Sequence, residues 1–312
     1  MNIRNEETKH KFPYEWTLKD ANFTKDKGTV FSCFACGGGS TMGYKLAGFD
    51  VLGCNEIDPK MIEAYKANHN PKYAYLEPIQ TFKLRKDLPK DLYNLDILDG
   101  SPPCSSFSMA GNREKDWGKE KKFREGQAEQ VLDNLFFDFI DLAKELQPKV
   151  VVAENVKGLL QGDAKEYVIN IYRAFDEAGY YCQHWLLDAS EMGVPQRRER
   201  VFFVCLRKDI AEPFLYQKDM FTILPKLELK FNESKIPYKE IRQKKGNENA
   251  IGLSPKIKEY WLLCEAGNAF SSVHPKGSYF NEIKTHPGKV LPTIRANGLP
   301  YDYEVQRTLF DD

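Results

Sequence analysis

The sequence predicts an α/β fold with a doubly wound, mostly parallel sheet, followed by a smaller and irregular domain. Segments typical of strands and helices alternate from residue 29 to residue 206, as in a sheet with helical crossovers. The run Val150–Ala153 is continuously apolar, as expected of a parallel strand covered on both faces. After Asp209 the alternation ends, and the sequence is rich in lysine and interrupted by proline. We therefore expect an arm at 1–28, an α/β domain at 29–208, a second domain at 209–300 and a tail at 301–312.

The α/β domain opens with a strand, a glycine turn and a helix. The strand-like run Thr29–Phe34 leads into Gly37–Gly39, and a helix-like stretch continues to Ala47. Glu56 directly follows a second strand, Val51–Asn55, at the position where such folds bind a ribose diol. A glycine turn alone is equally typical of close packing. The turn together with the acid favours an adenosine-bearing cofactor.

After a helix at 60–70 and a mixed connection at 71–94, a short buried strand presents a cysteine. The strand Leu95–Leu98 ends at Gly100–Pro103, because proline cannot continue a central strand. Cys104 follows this stiff corner at the carboxyl edge of the sheet, where α/β proteins bind ligands. We interpret Cys104 as a nucleophile; the alternative is a buried structural cysteine.

The next part of the α/β domain contains a polar loop, a helix and a strand that ends in an acid. The loop at 111–126 is polar and basic, which suits a lid that contacts phosphates or, alternatively, a solvated loop. Apolar residues then recur at helical spacing over Gln127–Leu146. The strand Val150–Ala153 delivers Glu154, where burial would favour a protonated acid that can donate a proton. The alternative is that Glu154 caps the short helix that follows.

The α/β domain closes with a helix and two strands. The helix is expected at Tyr167–Ala178, and the strands at Tyr181–Leu187 and Arg200–Cys205. Three arginines, at 197, 198 and 200, lie between or at the start of these strands. They could anchor a carboxylate, a phosphate or a base edge, or they could form a solvated cluster.

The composition excludes several classes of protein. Hydrophobic residues make up 42% of the 312 residues, and no run approaches the ~20 apolar residues of a membrane span. The beginning lacks the apolar segment of a signal peptide, so we expect a cytoplasmic protein with reduced cysteines and no membrane partner. Cys33 and Cys36 have metal-like spacing, but no second Cys or His pair accompanies them, so we predict no metal.

Charge is balanced overall and uneven along the chain. The protein has 45 basic and 45 acidic residues. From Arg207 to Pro300 there are 16 Lys or Arg residues against 10 Asp or Glu residues. This excess favours a surface for a polyanion, and a solvated lysine-rich face is an equal alternative.

Taken together, these residues resemble the cytosine-C5 DNA methyltransferases, a family that uses S-adenosylmethionine. The resemblance covers about residues 29–206 and a short block at 291–297. Each motif is weak alone, but their shared order and approximate spacing are specific. The motifs are Phe34–Gly39, Glu56, Pro103–Ser108, Glu154-Asn155-Val156, Gln196-x-Arg198-x-Arg200 and Thr293-Ile294-Arg295.

The resemblance implies a class I, Rossmann-like methyltransferase of restriction-modification type that acts on duplex DNA at a prokaryotic or phage nucleoid. The domain at 29–208 would bind the cofactor, and 209–300 would recognise the target. Cys104 would add to C6 of a flipped-out cytosine, with Glu154, Arg198 and Arg200 as further catalytic residues. The implied S-adenosylmethionine contacts are Phe34, Gly37, Gly38, Gly39, Glu56 and Pro103. The implied DNA contacts are Ser108, Arg113, Asn155, Gln196, Thr293 and Arg295.

Two departures from the family pattern lead to a further expectation. Cys36 stands where the family usually has the first glycine of the cofactor loop, and its side chain could crowd the methionine part of the cofactor. The family's closing helix, with its Gly-Asn-Ala motif, does not follow the 291–297 block; Gly267–Ala269 precedes it. We hypothesise a split enzyme completed by a second small polypeptide. Truncation, or a substitute role for residues 1–28, are the alternatives.

Two other functions stay open at this point. The first is an RNA cytosine-C5 methyltransferase that acts on tRNA, which the long segment after residue 210 disfavours. The second is a DNA-binding subunit of a split methyltransferase, inactive without its partner. The presence of Cys104, Glu154 and Arg198 disfavours that second function.

Overall fold

Strands and helices alternate through the first hundred residues. The computed structural model describes residues 21–103, 120–121, 130–131, 134–161, 164–219, 223–231, 233–242, 253–294 and 300–302. The first elements are β1 (Thr29–Cys33), α1 (Gly39–Ala47), β2 (Asp50–Glu56), α2 (Pro59–His69), β3 (Tyr73–Leu76), the one-turn helix α3 (Ile79–Phe82) and β4 (Ile97–Gly100). Local chemistry sets the ends of α2. The Asp58 carboxylate accepts hydrogen bonds from the first-turn N–H groups, and left-handed Asn70 ends the helix.

The same alternation continues to residue 207. The elements are β5 (Glu120–Lys121), β6 (Gln130–Val131), α4 (Leu135–Leu146), β7 (Val150–Val156), α5 (Ala164–Glu177), β8 (Tyr180–Asp188) and β9 (Glu199–Arg207). The predicted helix Gln127–Leu146 is wrong at its start, because Gln130–Val131 pair with Glu120–Lys121 in an antiparallel ladder. Helical periodicity cannot exclude a two-residue strand next to a helix start. The segment Lys157–Leu160, expected as a short helix, is a 3-10 turn.

The seven long strands form one sheet in the order β3-β2-β1-β4-β7-β9-β8. The pairs from β3 to β7 are parallel, whereas β9 runs antiparallel to β7. The predicted doubly wound, mostly parallel α/β sheet is therefore confirmed. The strand order reverses between β1 and β4, and ligands of open α/β sheets bind outside the strand ends at such a point.

Aromatic side chains fill the spaces between the sheet and its helices. Phe31 of β1 is stacked on Phe82, with ring centroids 5.7 Å apart. Phe136 of α4 packs edge-on against Phe203 of β9, with centroids 5.5 Å apart. All four side chains are buried. Such close packing gives the strand ends fixed positions, which a catalytic site requires.

The described chain divides into two compact units. The first holds the described residues up to Leu186 and the segment Arg200–Leu229, which includes the hairpin β10 (Leu215–Gln217) and β11 (Ile223–Pro225). The second holds Leu187–Glu199 and the described residues from Lys230 onward. It contains α6 (Pro255–Leu263) and the parallel pair β12 (Ile283–Lys284) and β13 (Pro300–Tyr301), around a core of Tyr260, Trp261, Cys264 and Phe270. The functional division at 208 stays a prediction.

Candidate active site

Strand register brings the predicted cofactor and catalytic segments to one edge of the sheet. Cys33 of β1 pairs with Gly100 of β4, and Gly100 pairs with Ala153 of β7. The candidate residues come directly after these paired positions in the chain. They are Phe34 after β1, the Pro102-Pro103 corner after β4, and Glu154 on β7. Because the three strands are parallel, their carboxyl ends meet at one edge.

The loop between β1 and α1 has an unusual backbone. Phe34 and Cys36 are left-handed, with φ values of 53° and 50°, which residues with a Cβ rarely adopt. Gly38 has φ 89°, and a Cβ there would lie 2.1 Å from Nε2 of buried His69. Glycine is therefore required at 38. Backbone strain of this kind often accompanies ligand-binding loops.

The same loop leaves space beside two of its glycines. A Cβ built at Gly37 or Gly39 meets no atom of the described chain within 4 Å. Gly39 begins α1, whose N-cap is Gly38, a residue with no capping side chain. The first N–H groups of the helix thus suit an anionic ligand group. These features fit a ligand that lies along the backbone, such as the methionine part of S-adenosylmethionine.

Glu56, at the end of β2, faces this loop. Its Oε2 accepts a hydrogen bond from Cys36 N at 2.7 Å, and its Oε1 accepts from Ile57 N and Asp58 N at 2.9 Å each. A carboxylate offers about four lone-pair positions, so these three donors leave capacity for a hydroxyl. The carboxylate therefore anchors the loop and suits the ribose diol that the sequence predicts.

The corner after β4 is fixed from two directions. A Cβ at Gly100 would lie 2.6 Å from the ring of Phe139, so the strand passes this ring without space for a side chain. The carbonyl oxygen of buried Pro102 accepts a hydrogen bond of 3.2 Å from Nδ2 of Asn155. Pro103 is half-buried. Cys104 follows it directly and, with Ser108 and Arg113, lies outside the described residues.

Asn155 itself is 3% exposed, and its side chain binds protein backbone. Besides the bond to Pro102, its Oδ1 accepts a hydrogen bond from Val156 N at 2.8 Å. The structure thus gives Asn155 a part in holding the corner. The DNA contact that the sequence predicts for it stays a prediction.

Glu154 and Arg200 form an ion pair across β7 and β9. Nε of Arg200 lies 2.8 Å from Oε1 of Glu154, and the two side chains are 22% and 26% exposed. Antiparallel pairing of Arg200 with Val156 brings the start of β9 to the end of β7. Glu154 is less buried than the sequence predicts, and Arg200 orients its carboxylate. Two predicted catalytic residues are thus in contact.

Two other predicted residues of the second unit, Gln196 and Thr293, lie on segments that contact each other. Gln196 and Leu291 form an isolated parallel β-bridge through their backbones, and Oγ1 of Thr293 donates to the carbonyl oxygen of Arg197 at 2.7 Å. Arg198 is exposed, and its N–H donates to Asp188 Oδ1 at 3.2 Å. The structure therefore connects the QxRxR and TIR-like segments. Arg295 lies outside the described residues.

One acid at this edge, Asp99, is not among the residues that the sequence predicts for the site. It is 5% exposed in β4. Burial raises the pKa of its carboxyl, while hydrogen bonds from Ser40, Ser32 and Tyr44 lower it and the negative charge of Glu154 raises it. An acid inside a strand that should be buried was the available signal.

The described cysteines other than Cys36 are buried. Burial raises the pKa of Cys33 and Cys205 well above the ordinary thiol value, and that of Cys54 to about 12. These three thiols therefore stay protonated and unreactive. Among the described residues no cluster of three or more His, Cys, Asp or Glu side chains could hold a metal. No helix in the described part of the chain has the length and apolarity of a membrane span.

The chain matches the family model for C-5 cytosine-specific DNA methylases over residues 28–279. Among curated proteins, it is 36% identical to the type II methyltransferase M.FnuDI of Fusobacterium nucleatum, over 58% of this chain and 47% of that protein. It is 33% identical to the type II methyltransferase M.NgoPII of Neisseria gonorrhoeae, over 61% of this chain and 51% of that protein. The chain thus spans about half the length of these two relatives.

Solved structures share the fold. A DNA modification methyltransferase encoded within an E. coli prophage superposes with a TM-score of 0.57 at 19% identity, covering 85% of this chain and 82% of that one. The Dnmt2 methyltransferase of S. pombe gives a TM-score of 0.53 at 15% identity, covering 88% and 73%. The predicted class I methyltransferase fold is therefore confirmed.

Proposed function

This chain belongs to the family of C-5 cytosine-specific DNA methylases, and we propose that it transfers a methyl group from S-adenosylmethionine to C5 of cytosine in duplex DNA. The observation that carries the proposal is the shared sheet edge. There the strained glycine loop and the corner before Cys104 follow strand ends, Glu56 ends β2, and the Glu154–Arg200 pair joins the end of β7 to the start of β9.

The cofactor would lie along the loop between β1 and α1. The open side of Gly37 and Gly39 gives it room, and Glu56 would accept a hydrogen bond from one of its ribose hydroxyls. Phe34, whose ring packs edge-on against Phe139, would form one wall, with Pro103 nearby. When bound, S-adenosylmethionine supplies a methyl group as the electrophile.

Cys104 would begin the chemistry. Cytosine C5 is a poor nucleophile, and addition of a thiolate to C6 converts the ring into an enamine whose C5 can attack. As the ring becomes electron-rich, Glu154, held through Oε1 by Arg200, would hydrogen-bond the proton at N3 and so stabilise the ring. Once C5 carries the methyl group, loss of the C5 proton restores the double bond and expels Cys104 as thiolate.

DNA must deliver the base from outside the helical stack. Flipping a cytosine out of a duplex costs a few kcal/mol of unstacking, about the scale that phosphate and groove contacts can offset. The second unit would supply such contacts: Gln196 pairs with Leu291, and Thr293 donates to the carbonyl oxygen of Arg197. Arg198 would help to fix the flipped base, the catalytic role that the family resemblance implies. Ser108, Arg113 and Arg295 would add DNA contacts. As a DNA-modifying enzyme, the protein would act in the cytoplasm at the nucleoid.

A covalent trap tests the proposal without knowledge of the recognition sequence. A long duplex with 5-fluorocytosine in place of every cytosine is incubated with the chain and S-adenosylmethionine, and adducts are resolved on SDS gels. The wild type should form a stable adduct, Cys104→Ser should form none, and Cys36→Ala should trap as the wild type does. An adduct that survives in Cys104→Ser would contradict the nucleophile assignment.

Two further measurements distinguish this proposal from the RNA methyltransferase and from the inactive subunit. Transfer of tritium-labelled methyl groups to tRNA rather than to duplex DNA would favour an RNA methyltransferase. DNA and cofactor binding without any transfer would favour an inactive subunit. The second small polypeptide stays a prediction, which bisulfite sequencing of DNA from cells expressing this chain, with and without neighbouring coding sequence, would test.

A further inference from the structure

A buried carboxylate links the two halves of the candidate site. Asp99 pairs in register with Ser32 of β1, and its Oδ2 accepts hydrogen bonds of 2.8 Å from the hydroxyls of Ser32 and Ser40. Its Oδ1 accepts a bond of 3.2 Å from the hydroxyl of Tyr44. Ser40 and Tyr44 belong to α1, and Ser40 lies one residue after the glycine loop.

Packing does not explain an acid at this position. In the described part of the chain the hydrogen-bond donors to Asp99 are neutral hydroxyls, and its side chain forms no ion pair there. Burying a carboxylate costs free energy unless a charged partner or enough hydrogen bonds offset its loss of hydration. The neighbouring strand positions hold Leu98 and Gly100, and an apolar residue at 99 would complete the sheet at lower free energy.

The location of Asp99 indicates what the carboxylate does. On one side it holds the start of α1, and therefore the loop that would bind the cofactor. On the other side its own backbone leads through Gly100 and Pro102 to Cys104, and Gly100 is confined by the ring of Phe139. Any shift of Asp99 would move the loop and the corner together.

We propose that Asp99 is a positioning residue that holds the cofactor loop and the corner Gly100–Pro103, which precedes Cys104, in a fixed relation, so that cofactor affinity and Cys104 reactivity depend on the same carboxylate. The inference rests on the proposed function. It adds a coupling between the two sites that the identity of the reaction does not require.

Asp96 provides a matched control. It directly precedes β4 and also joins β1 to β4, because its Oδ2 accepts from Thr29 N at 2.7 Å. Its Oδ1 pairs with Lys149 at 2.7 Å. Asp96 thus makes a similar β1–β4 link at the opposite edge of the sheet. Loss of these contacts should lower the stability of the fold and leave cofactor affinity and Cys104 reactivity unchanged.

The test measures three quantities for each variant: the midpoint of thermal unfolding, the cofactor Kd by calorimetry, and the rate of covalent trapping on the 5-fluorocytosine duplex at saturating cofactor. Asp99→Ala should raise the Kd and lower the trapping rate, each by at least about tenfold, as expected when three hydrogen bonds to a buried side chain are lost. Asp99→Asn keeps the size and one acceptor oxygen, and should restore part of both. Asp96→Asn should lower the unfolding midpoint and leave both site quantities within about twofold.

Single-donor variants keep the proposal testable if Asp99→Ala does not fold. Ser40→Ala and Tyr44→Phe each remove one hydroxyl, and each should shift both the Kd and the trapping rate by about two- to fivefold. The proposal is overturned if the Asp99 variants, like Asp96→Asn, change only the unfolding midpoint. It is also overturned if the Kd changes while trapping at saturating cofactor does not. A wild type that forms no adduct would instead contradict the proposed function.

Discussion

Cys36 occupies a backbone conformation that a glycine adopts with less strain. Its φ is 50°, and a left-handed backbone costs about 1–2 kcal/mol for a residue with a Cβ. Glycine removes this strain but has a more flexible unfolded chain, which offsets about 0.5–1 kcal/mol. Cys36→Gly should therefore raise the free energy of unfolding by up to about 1.5 kcal/mol. Urea unfolding of the two proteins measures the difference.

Cys36→Ala is the control for this substitution. Alanine removes the thiol and keeps the Cβ, so it should give none of the gain that relief of strain provides. The N–H of residue 36 keeps its bond to Glu56 in both variants. A lower free energy of unfolding for Cys36→Gly than for Cys36→Ala would contradict the strain assignment.

Residue by residue, the sequence predicts those parts of the site that follow a recognisable local pattern. Glu56 follows a strand after a glycine turn, and its bond to Cys36 N agrees with a place beside that loop. Asp99 belongs to no such pattern, because its partners are 67 and 59 positions away in the chain. Contacts between distant residues depend on register, which a single sequence does not specify.

At the scale of elements, the alternation of strands and helices was predictable and the direction of β9 was not. Parallel strands connected by helices follow from periodicity and from the long connections. The segments now seen as β8 and β9 are also recognisable as strands. Their order in the sheet, with β9 between β7 and β8, is a property of the tertiary fold. That order is what brings Arg200 to Glu154.

This placement makes a prediction for Arg200. Arg200→Ala removes the group that orients Glu154, and the methyl-transfer rate should fall by about a hundredfold, the usual scale for one acid–base contact. The pair is partly exposed, so stability should change by less than about 1 kcal/mol. Single-turnover transfer and urea unfolding measure the two effects.

Arg207, at the other end of β9, is the matched control. It pairs with Asp209 at 2.7 Å and donates to the carbonyl oxygen of Gln147, at the amino ends of the parallel strands. Arg207→Ala should therefore affect stability and leave the transfer rate unchanged. Equal losses of transfer in the two variants would show that β9 acts through the fold as a whole.

At the scale of the whole molecule, the two units have separate cores. The first is built around the sheet, and the second around Tyr260, Trp261, Cys264 and Phe270. Each unit holds a different part of the predicted site: the loop, Glu56 and the Glu154–Arg200 pair in the first, and Gln196 with Thr293 in the second. We therefore expect cofactor affinity and DNA affinity to respond to different substitutions.

Trp261 tests this division of roles. Its Nε1 donates to the carbonyl oxygen of Asp302 at 2.6 Å, and Nζ of Lys284 lies 3.9 Å from its ring centroid. Trp261→Phe loses the indole donor and weakens the cation–π contact, at about 1–2 kcal/mol within the second unit. Because this loss destabilises the unit that would bind DNA, duplex DNA should bind more weakly by fluorescence anisotropy, while the cofactor Kd measured by calorimetry stays the same.

Tyr180→Phe is the counterpart in the first unit, because it also deletes one buried donor, to Pro148 O at 2.9 Å. It should lower the unfolding midpoint alone, since Tyr180 begins β8 at the edge away from the loop. Parallel losses of DNA and cofactor affinity in Trp261→Phe would mean that the two units work as one.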